Sequence, residues 1–168
     1  YSATPQLAAA FEAGTWGLAH GGDTPAFAGM HEAAVAVCGA SVTAAREVWE
    51  GRADRVLSVA GGLHHAFANK ANGFCIYNDP AVAIRWLLDN GAERVAYVDV
   101  DVHHGDGTQS IFYDDPRVPT CSVHESGRYL FPGTGALSER VIGPGEGTPV
   151  NIPHPAFSGD GPNLRAIE

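Results

Sequence analysis

Short apolar segments rich in β-branched residues alternate along this chain with segments of helical periodicity. The strand-like segments are residues 56–60, 94–101, about 118–123 and 148–152. Strands that alternate with helices favour a mostly parallel sheet with helices on both faces. The sequence therefore predicts an α/β fold, with each strand buried on both sides.

The helical segments have clear limits. Between Gly29 and Gly51, apolar residues recur at three- and four-residue spacing, at Ala33, Val37, Ala40, Ala44 and Val48. This period predicts an amphipathic helix. A second helix is predicted from about Asp79 to Asn90, with Asn78 or Asp79 as N-cap, Pro80 at its first position and Gly91 as the stop.

Composition narrows the class of protein. The chain has 168 residues, of which 45% are hydrophobic and 17% charged, which suits one globular domain over residues 1–168. Its formal net charge is -9, with 10 Lys and Arg against 19 Asp and Glu and no basic run, so direct nucleic-acid binding is not expected. No apolar run approaches the length of a membrane span, and we expect a cytoplasmic protein.

Three further features complete the outline of the chain. The cysteines Cys38, Cys75 and Cys121 lie far apart, which favours reduced buried thiols. Position 1 is not Met, and residues 163–168 resemble the start of a helix, so we expect the domain to be truncated at both ends. The Gly- and Pro-rich stretch 132–149 predicts a surface loop with a functional role.

Polar residues follow the strand at 94–101. In an extended chain, residues i, i+2 and i+4 point the same way, so Asp99, Asp101 and His103 are expected to converge at the strand's carboxyl end. Two carboxylates and an imidazole suit a divalent cation. A solvated loop is the weaker interpretation, because Gly105 and Gly107 indicate a backbone held close to another group.

A histidine pair follows the strand at 56–60. Since parallel strands end at the same edge of a sheet, His64 and His65 are expected to face the metal site and to transfer protons near neutral pH. Asp99 and Asp106 are candidate carboxylate partners for these imidazoles. For Asp106, capping of the helix that follows Gly107 is an alternative.

These motifs together resemble those of the histone deacetylase family, including its bacterial acetoin-utilisation-type members. The similarity is carried by GGLHHA, GFCIYND, YVDVDVHHGDG and YLFPGTG, and it extends from about Asp23 to about Pro153. The resemblance implies an arginase-like three-layer α/β fold, incomplete in this chain. It also implies hydrolysis of an N-acetylated amine with Zn²⁺ or Fe²⁺ in the site.

The resemblance also implies roles for individual residues. Asp101 and His103 match two metal ligands, His65 the general base and acid, His64 the second active-site histidine, and Asp99 and Asp106 the carboxylates that support the histidines. Phe74 and Phe131 match the walls of a substrate tunnel, with Gly73 beside them and Asp23 at the rim. A structural K⁺ site would use Asp99, Asp101, His103, Ser122 and the backbone oxygen of Val123.

Alternatives stay open for several of these positions. Phe74 and Phe131 would also suit a core, and Asp23 a turn, while His31 and His124 are interpreted as structural. The family's third metal ligand and its transition-state Tyr fall beyond Glu168, so this chain alone is expected to be inactive.

The expected substrate is acetyl-lysine in a protein or peptide, or a small acetylated amine such as a polyamine, and no oligomeric state is indicated. A catalytically silent module that binds acyl-lysine is the main alternative function. A two-metal phosphoesterase is disfavoured because its further Gly-Asp and Asn-His motifs are missing from the sequence.

Overall fold

The computed structural model describes residues 14–18, 22–139 and 147–167. The chain divides into two compact units, Tyr1–Ala92 and Glu93–Glu168. No helix among the described residues is both long and apolar enough to cross a membrane.

Helix α1 of the first unit spans Met30–Trp49, which confirms the predicted helix. The side chains it buries are Met30, Ala34 and Ser41. The predicted apolar row is therefore partly wrong, since its members Ala33, Ala40 and Val48 are exposed. In a helix this rich in alanine, two adjacent rows of side chains are similarly apolar, so periodicity alone does not identify the buried one.

Helix α2 spans Asp79–Asp89 and packs against α1. Asn78 is its N-cap, because the Asn78 side chain accepts a hydrogen bond from the Ala81 N–H at 2.9 Å. The helix ends before Gly91, which has a φ of 100°. A small core of Leu18, Met30 and Ala71 lies in the same unit.

The predicted strand at residues 56–60 is wrong. The structure has no strand there, and Leu57 and Val59 are 85% and 87% exposed. A strand needs a hydrogen-bonded neighbour, and no other described segment pairs with this one. The segment is apolar and rich in β-branched residues, but composition alone does not show whether a second strand is available to pair with it.

The second unit contains a three-stranded sheet of order β1-β2-β3, with β1 at Tyr97–Asp99, β2 at Thr120–Glu125 and β3 at Pro149–His154. Both pairs are parallel, as predicted. Strand β1 is shorter than the predicted segment 94–101 and is not buried on both sides, because Val98 is 59% exposed whereas Asp99 is buried.

The described residues of this unit include two helices. Helix α3 spans Asp106–Ile111, directly after the polar segment that follows β1, and helix α4 spans Asp160–Ile167 and contacts β2 and β3. In the predicted loop 132–149, residues 132–139 and 147–148 form no helix or strand, whereas Pro149 already belongs to β3. Residues 140–146 lie outside the described residues.

The cysteines are all free. Cys75 is buried as predicted, whereas Cys38 and Cys121 are only partly buried. Burial raises the pKa of both the Cys38 and the Cys121 thiol, and the Asp79 carboxylate raises the pKa of Cys38 further. These thiols are therefore held in their protonated form at neutral pH.

Candidate functional site

The backbone turns directly after β1, and this turn brings two predicted metal ligands together. The Asp101 carboxylate oxygen Oδ1 accepts a hydrogen bond from the His103 backbone N–H at 2.7 Å and lies 2.9 Å from His103 Nδ1. The extended conformation expected as far as His103 is wrong, because residues 101–103 form bends. The pair is made by a local turn instead.

The donor atoms of this pair suit the metal implied by the sequence. A carboxylate oxygen and an imidazole nitrogen are both zinc ligands, and two ligands of a tetrahedral zinc ion lie about 3.4 Å apart, since each is about 2.1 Å from the metal. The observed 2.9 Å needs only a small adjustment to reach that separation. Both side chains are accessible, at 51% for Asp101 and 36% for His103.

These residues fit a metal, but they supply only part of a site. Catalytic zinc usually has three protein ligands. Among the residues that the structure describes, no group of three or more His, Cys, Asp or Glu side chains is arranged to hold a metal ion. The metal-binding role of Asp101 and His103 stays a prediction.

Asp99 is buried beneath this turn. Its Oδ2 accepts a hydrogen bond from the Tyr97 hydroxyl at 2.7 Å, and its Oδ1 accepts one from the Asp101 N–H at 3.1 Å. In the sheet, Asp99 pairs with Ser122, which pairs with Asn151, so three buried polar residues lie side by side across the strands. Asp99 and Ser122 are thus neighbours, as a K⁺ site would need, and that site stays a prediction.

Asp106 is the first residue of α3 and is buried. Gly105 occupies the N-cap position, so the alternative role of Asp106 as N-cap is wrong. Its Oδ1 instead accepts a hydrogen bond from the Gly107 N–H at 2.9 Å. Its predicted support of a catalytic histidine is untested by these contacts.

Two buried histidines, His104 and His124, hold the loop that contains Thr134 and Gly135. Neither of them was assigned to the site from the sequence. The rings of His104 and His124 lie 4.8 Å apart. His104 Nδ1 lies 2.8 Å from Thr134 Oγ1, and His124 Nε2 lies 2.9 Å from the Gly135 carbonyl oxygen. Burial lowers the pKa of His124, which favours its neutral form. His104 lies in the motif YVDVDVHHGDG, whereas His124 lies in none of the quoted motifs, and their partners Thr134 and Gly135 are 30 and 11 residues away in sequence.

The loop that they anchor carries Phe131. Its ring lies 6.3 Å from the His103 ring, at an edge-to-face angle of 67°. Phe131 is 44% exposed, so a role as a core residue is wrong, and the structure places an accessible aromatic ring beside a predicted metal ligand.

Phe74, in the other unit, is 75% exposed and has a φ of 67°. A bulky residue rarely adopts this left-handed conformation, and residues strained in this way are enriched at functional sites. The Phe74 N–H donates to Thr24 Oγ1 at 3.1 Å, so the turn that contains the exposed Asp23 is joined to Phe74 and Gly73. The core interpretation of Phe74 is wrong, and the tunnel and rim roles stay predictions.

The predicted proton-transfer pair lies in the same unit as Phe74. His64 and His65 are each 5% exposed, and their ring centroids are 4.0 Å apart. The loop that carries them begins at Gly62, whose φ of 91° favours glycine. The expected proximity of these histidines to Asp101 and His103 joins residues of different units and stays a prediction.

Comparisons with known proteins agree on one family. The profile of the histone deacetylase domain matches residues 3–168. The acetoin utilization protein AcuC of Bacillus subtilis is 54% identical over 144 residues, which cover 86% of this chain and 37% of AcuC. The histone deacetylase clr6 of Schizosaccharomyces pombe is 47% identical over 133 residues, covering 79% of this chain and 32% of clr6.

Solved structures show the same fold. An HDAC homologue from Aquifex aeolicus superposes with a TM-score of 0.81 at 40% identity and covers 86% of this chain and 39% of that one. An HDAC homologue complexed with SAHA gives a TM-score of 0.74 at 43% identity, over 78% of this chain and 35% of that one. The chain thus spans between 32% and 39% of the length of these relatives. The motifs, the parallel sheet and these similarities together show that the chain belongs to the histone deacetylase family.

Proposed function

We propose that the full-length protein is a metal-dependent deacetylase that hydrolyses the amide of an N-acetylated amine. The observation that carries this proposal is the Asp101–His103 pair, whose donor atoms lie 2.9 Å apart beside the Phe131 ring. Accessible zinc-type donors next to an exposed aromatic ring suit a narrow apolar substrate that ends in a polar amide.

The chain's own residues would divide the reaction as follows. A Zn²⁺ or Fe²⁺ ion held by Asp101 and His103 would supply Lewis acidity towards the amide carbonyl and the attacking water. His65 takes a proton from the water as its oxygen bonds to the carbonyl carbon, and it returns a proton to the amine nitrogen as the C–N bond breaks. Acetate and the free amine are the products.

Other residues would orient the reactants. His64 lies against His65 with the ring centroids 4.0 Å apart, so it restricts the position of the base. Phe74 and Phe131 would flank the aliphatic chain of the substrate. Asp23 would accept backbone N–H bonds at the rim, and a structural K⁺ near Asp99 and Ser122 would support the strand ends.

The substrate class follows from the proposed tunnel. Acetyl-lysine in a protein or peptide and small acetylated amines such as acetylpolyamines both present an acetyl group at the end of a methylene segment. The net charge of -9 suits a cationic partner. An exposed rim carboxylate at Asp23 favours a peptide, because a free polyamine has no backbone N–H to offer.

The full-length gene product should be assayed for metal content and for release of product from a fluorogenic acetyl-lysine peptide, with and without a hydroxamate chelator. An acetylated polyamine serves as the second substrate. We expect bound metal and turnover that the chelator abolishes. Bound metal without turnover of any acylated amine would contradict the proposal and would favour the silent acyl-lysine-binding module.

A further inference from the structure

The loop that carries His64 and His65 is bound to a buried carboxylate at the start of α2. Asp79 is 1% exposed, and its Oδ1 accepts a hydrogen bond from the Leu63 N–H at 2.8 Å. Its Oδ2 accepts one from the Gly62 N–H at 3.1 Å. A buried carboxylate is stable only when such bonds satisfy it, and its place in the first turn of α2 adds a favourable interaction with the helix dipole.

The same carboxylate is fixed from a second direction. The Ser41 hydroxyl, on the buried face of α1, donates to Asp79 Oδ2 at 2.5 Å. Asp79 therefore ties the backbone of the histidine loop to α1 as well as to α2. Charge-assisted bonds of this kind are about twice as strong as neutral ones.

Asn78 binds the loop on the other side. Its Nδ2 donates to the carbonyl oxygens of His64 at 3.1 Å and of Ala66 at 2.9 Å, while its Oδ1 caps α2 at Ala81. These two carbonyls stand on either side of His65. The backbone around the proposed base is thus held at both ends by adjacent residues of one helix start.

Gly61 and Gly62, which precede the histidines, allow the loop backbone to lie close to the Asp79 carboxylate. A Cβ on Gly61 would overlap the Asp79 carboxylate and would lie 2.7 Å from the Ser41 hydroxyl oxygen. Gly62 has no such obstruction but adopts a φ of 91°. The first glycine is therefore needed for close contact, and the second for its backbone conformation.

We propose that Asn78 and Asp79 are positioning residues that hold His65 in place for proton transfer. The inference rests on the proposed function, because it concerns the base of that reaction. Proton transfer becomes much slower when donor and acceptor are farther apart than hydrogen-bond distance. The four hydrogen bonds from Asn78 and Asp79 fix the loop that carries His65, and so they keep the base at the distance that the reaction needs.

The test is Asp79→Asn in the full-length protein. The substitution keeps the shape of the side chain, but it replaces one carboxylate oxygen with an NH₂ group that cannot accept from Gly62 or Leu63. We expect kcat on the acetyl-lysine peptide to fall at least about tenfold, with KM within about twofold and metal content unchanged. Asp89→Asn is the matched control, since it makes the same change at the exposed far end of α2.

Hydrogen exchange gives a readout that does not depend on catalysis. The peptide covering residues 58–66 should exchange its amide protons faster in Asp79→Asn than in wild type or Asp89→Asn. Unchanged exchange there would overturn the inference, whatever the activity. The inference would also be overturned if the loss of activity in Asp79→Asn were fully explained by a smaller fraction of folded protein. If the wild type is inactive on every acylated amine but the loop exchanges faster in the variant, the proposed function is wrong. The role of Asp79 in fixing the histidine loop is then still supported.

Discussion

His65 and His103 are the residues whose separate roles can be distinguished most directly. The proposal assigns proton transfer to His65 and metal binding to His103, next to Asp101. Replacing His65 by Ala should lower kcat by about 10²- to 10⁴-fold, because general acid–base catalysis contributes that much, while metal content stays near wild type. His103→Ala should instead lower both metal content and activity.

Both variants are made in the full-length protein, with kcat from the acetyl-lysine peptide and metal content by mass spectrometry. The two substitutions remove the same kind of side chain, so each serves as the control for the other. A loss of metal on His65→Ala would contradict its role as the base.

Sequence alone predicted that Asp101 and His103 lie together, because both are in one short motif that follows an apolar segment. It did not locate the partners of the histidine loop. Asp79 and Asn78 were noted only as helix caps, whereas the structure shows them bound to Gly62, Leu63 and the His64 carbonyl. Such contacts join residues 12 to 17 positions apart, and no local pattern reports them.

At the scale of secondary structure, helices were the most predictable elements. The limits of α2 follow from Asn78, Pro80 and Gly91, each of which acts through its own backbone or side chain. Strands depend on neighbours instead. β2 and β3 pair with each other in parallel although they contain several polar residues, whereas the more apolar residues 56–60 form no strand.

Two glycine substitutions should affect the stability of the first unit in opposite directions. Gly39 lies inside α1, and a Cβ there meets no atom within 4 Å, so Gly39→Ala should stabilise the protein by about 0.5–1 kcal/mol. Gly61→Ala should destabilise it by about 1–3 kcal/mol, because the added methyl group would displace the Asp79 carboxylate.

Urea denaturation followed by circular dichroism gives the free energy of unfolding of each variant. It shows whether Gly39→Ala raises this free energy and Gly61→Ala lowers it. Gly39→Ala is the control for Gly61→Ala, since both add one methyl group to the same unit. An unchanged free energy of unfolding for Gly61→Ala would show that the loop can move away from Asp79 at no cost, which would contradict the close contact between Gly61 and the Asp79 carboxylate.

At the scale of the whole molecule, the chain presents several strongly exposed apolar side chains among its described residues. Leu57, Val59 and Phe157 are 85%, 87% and 101% exposed. It also supplies two adjacent zinc-type ligands where catalytic sites commonly use three. The 168-residue chain, expressed alone, should therefore bind Zn²⁺ at least about 100-fold more weakly than the full-length protein and should not deacetylate the peptide.

Competition against a chromogenic chelator gives the two zinc dissociation constants, and far-UV circular dichroism shows whether α1 and α2 are formed in the isolated chain. Asp101→Ala in that chain should abolish the specific zinc binding that remains, because it leaves His103 as a single ligand of the pair. Zinc affinity equal to that of the full-length protein, or turnover by the isolated chain, would mean that its own residues complete the site. In that case the third ligand and the oxyanion donor would have to be sought among residues 1–168.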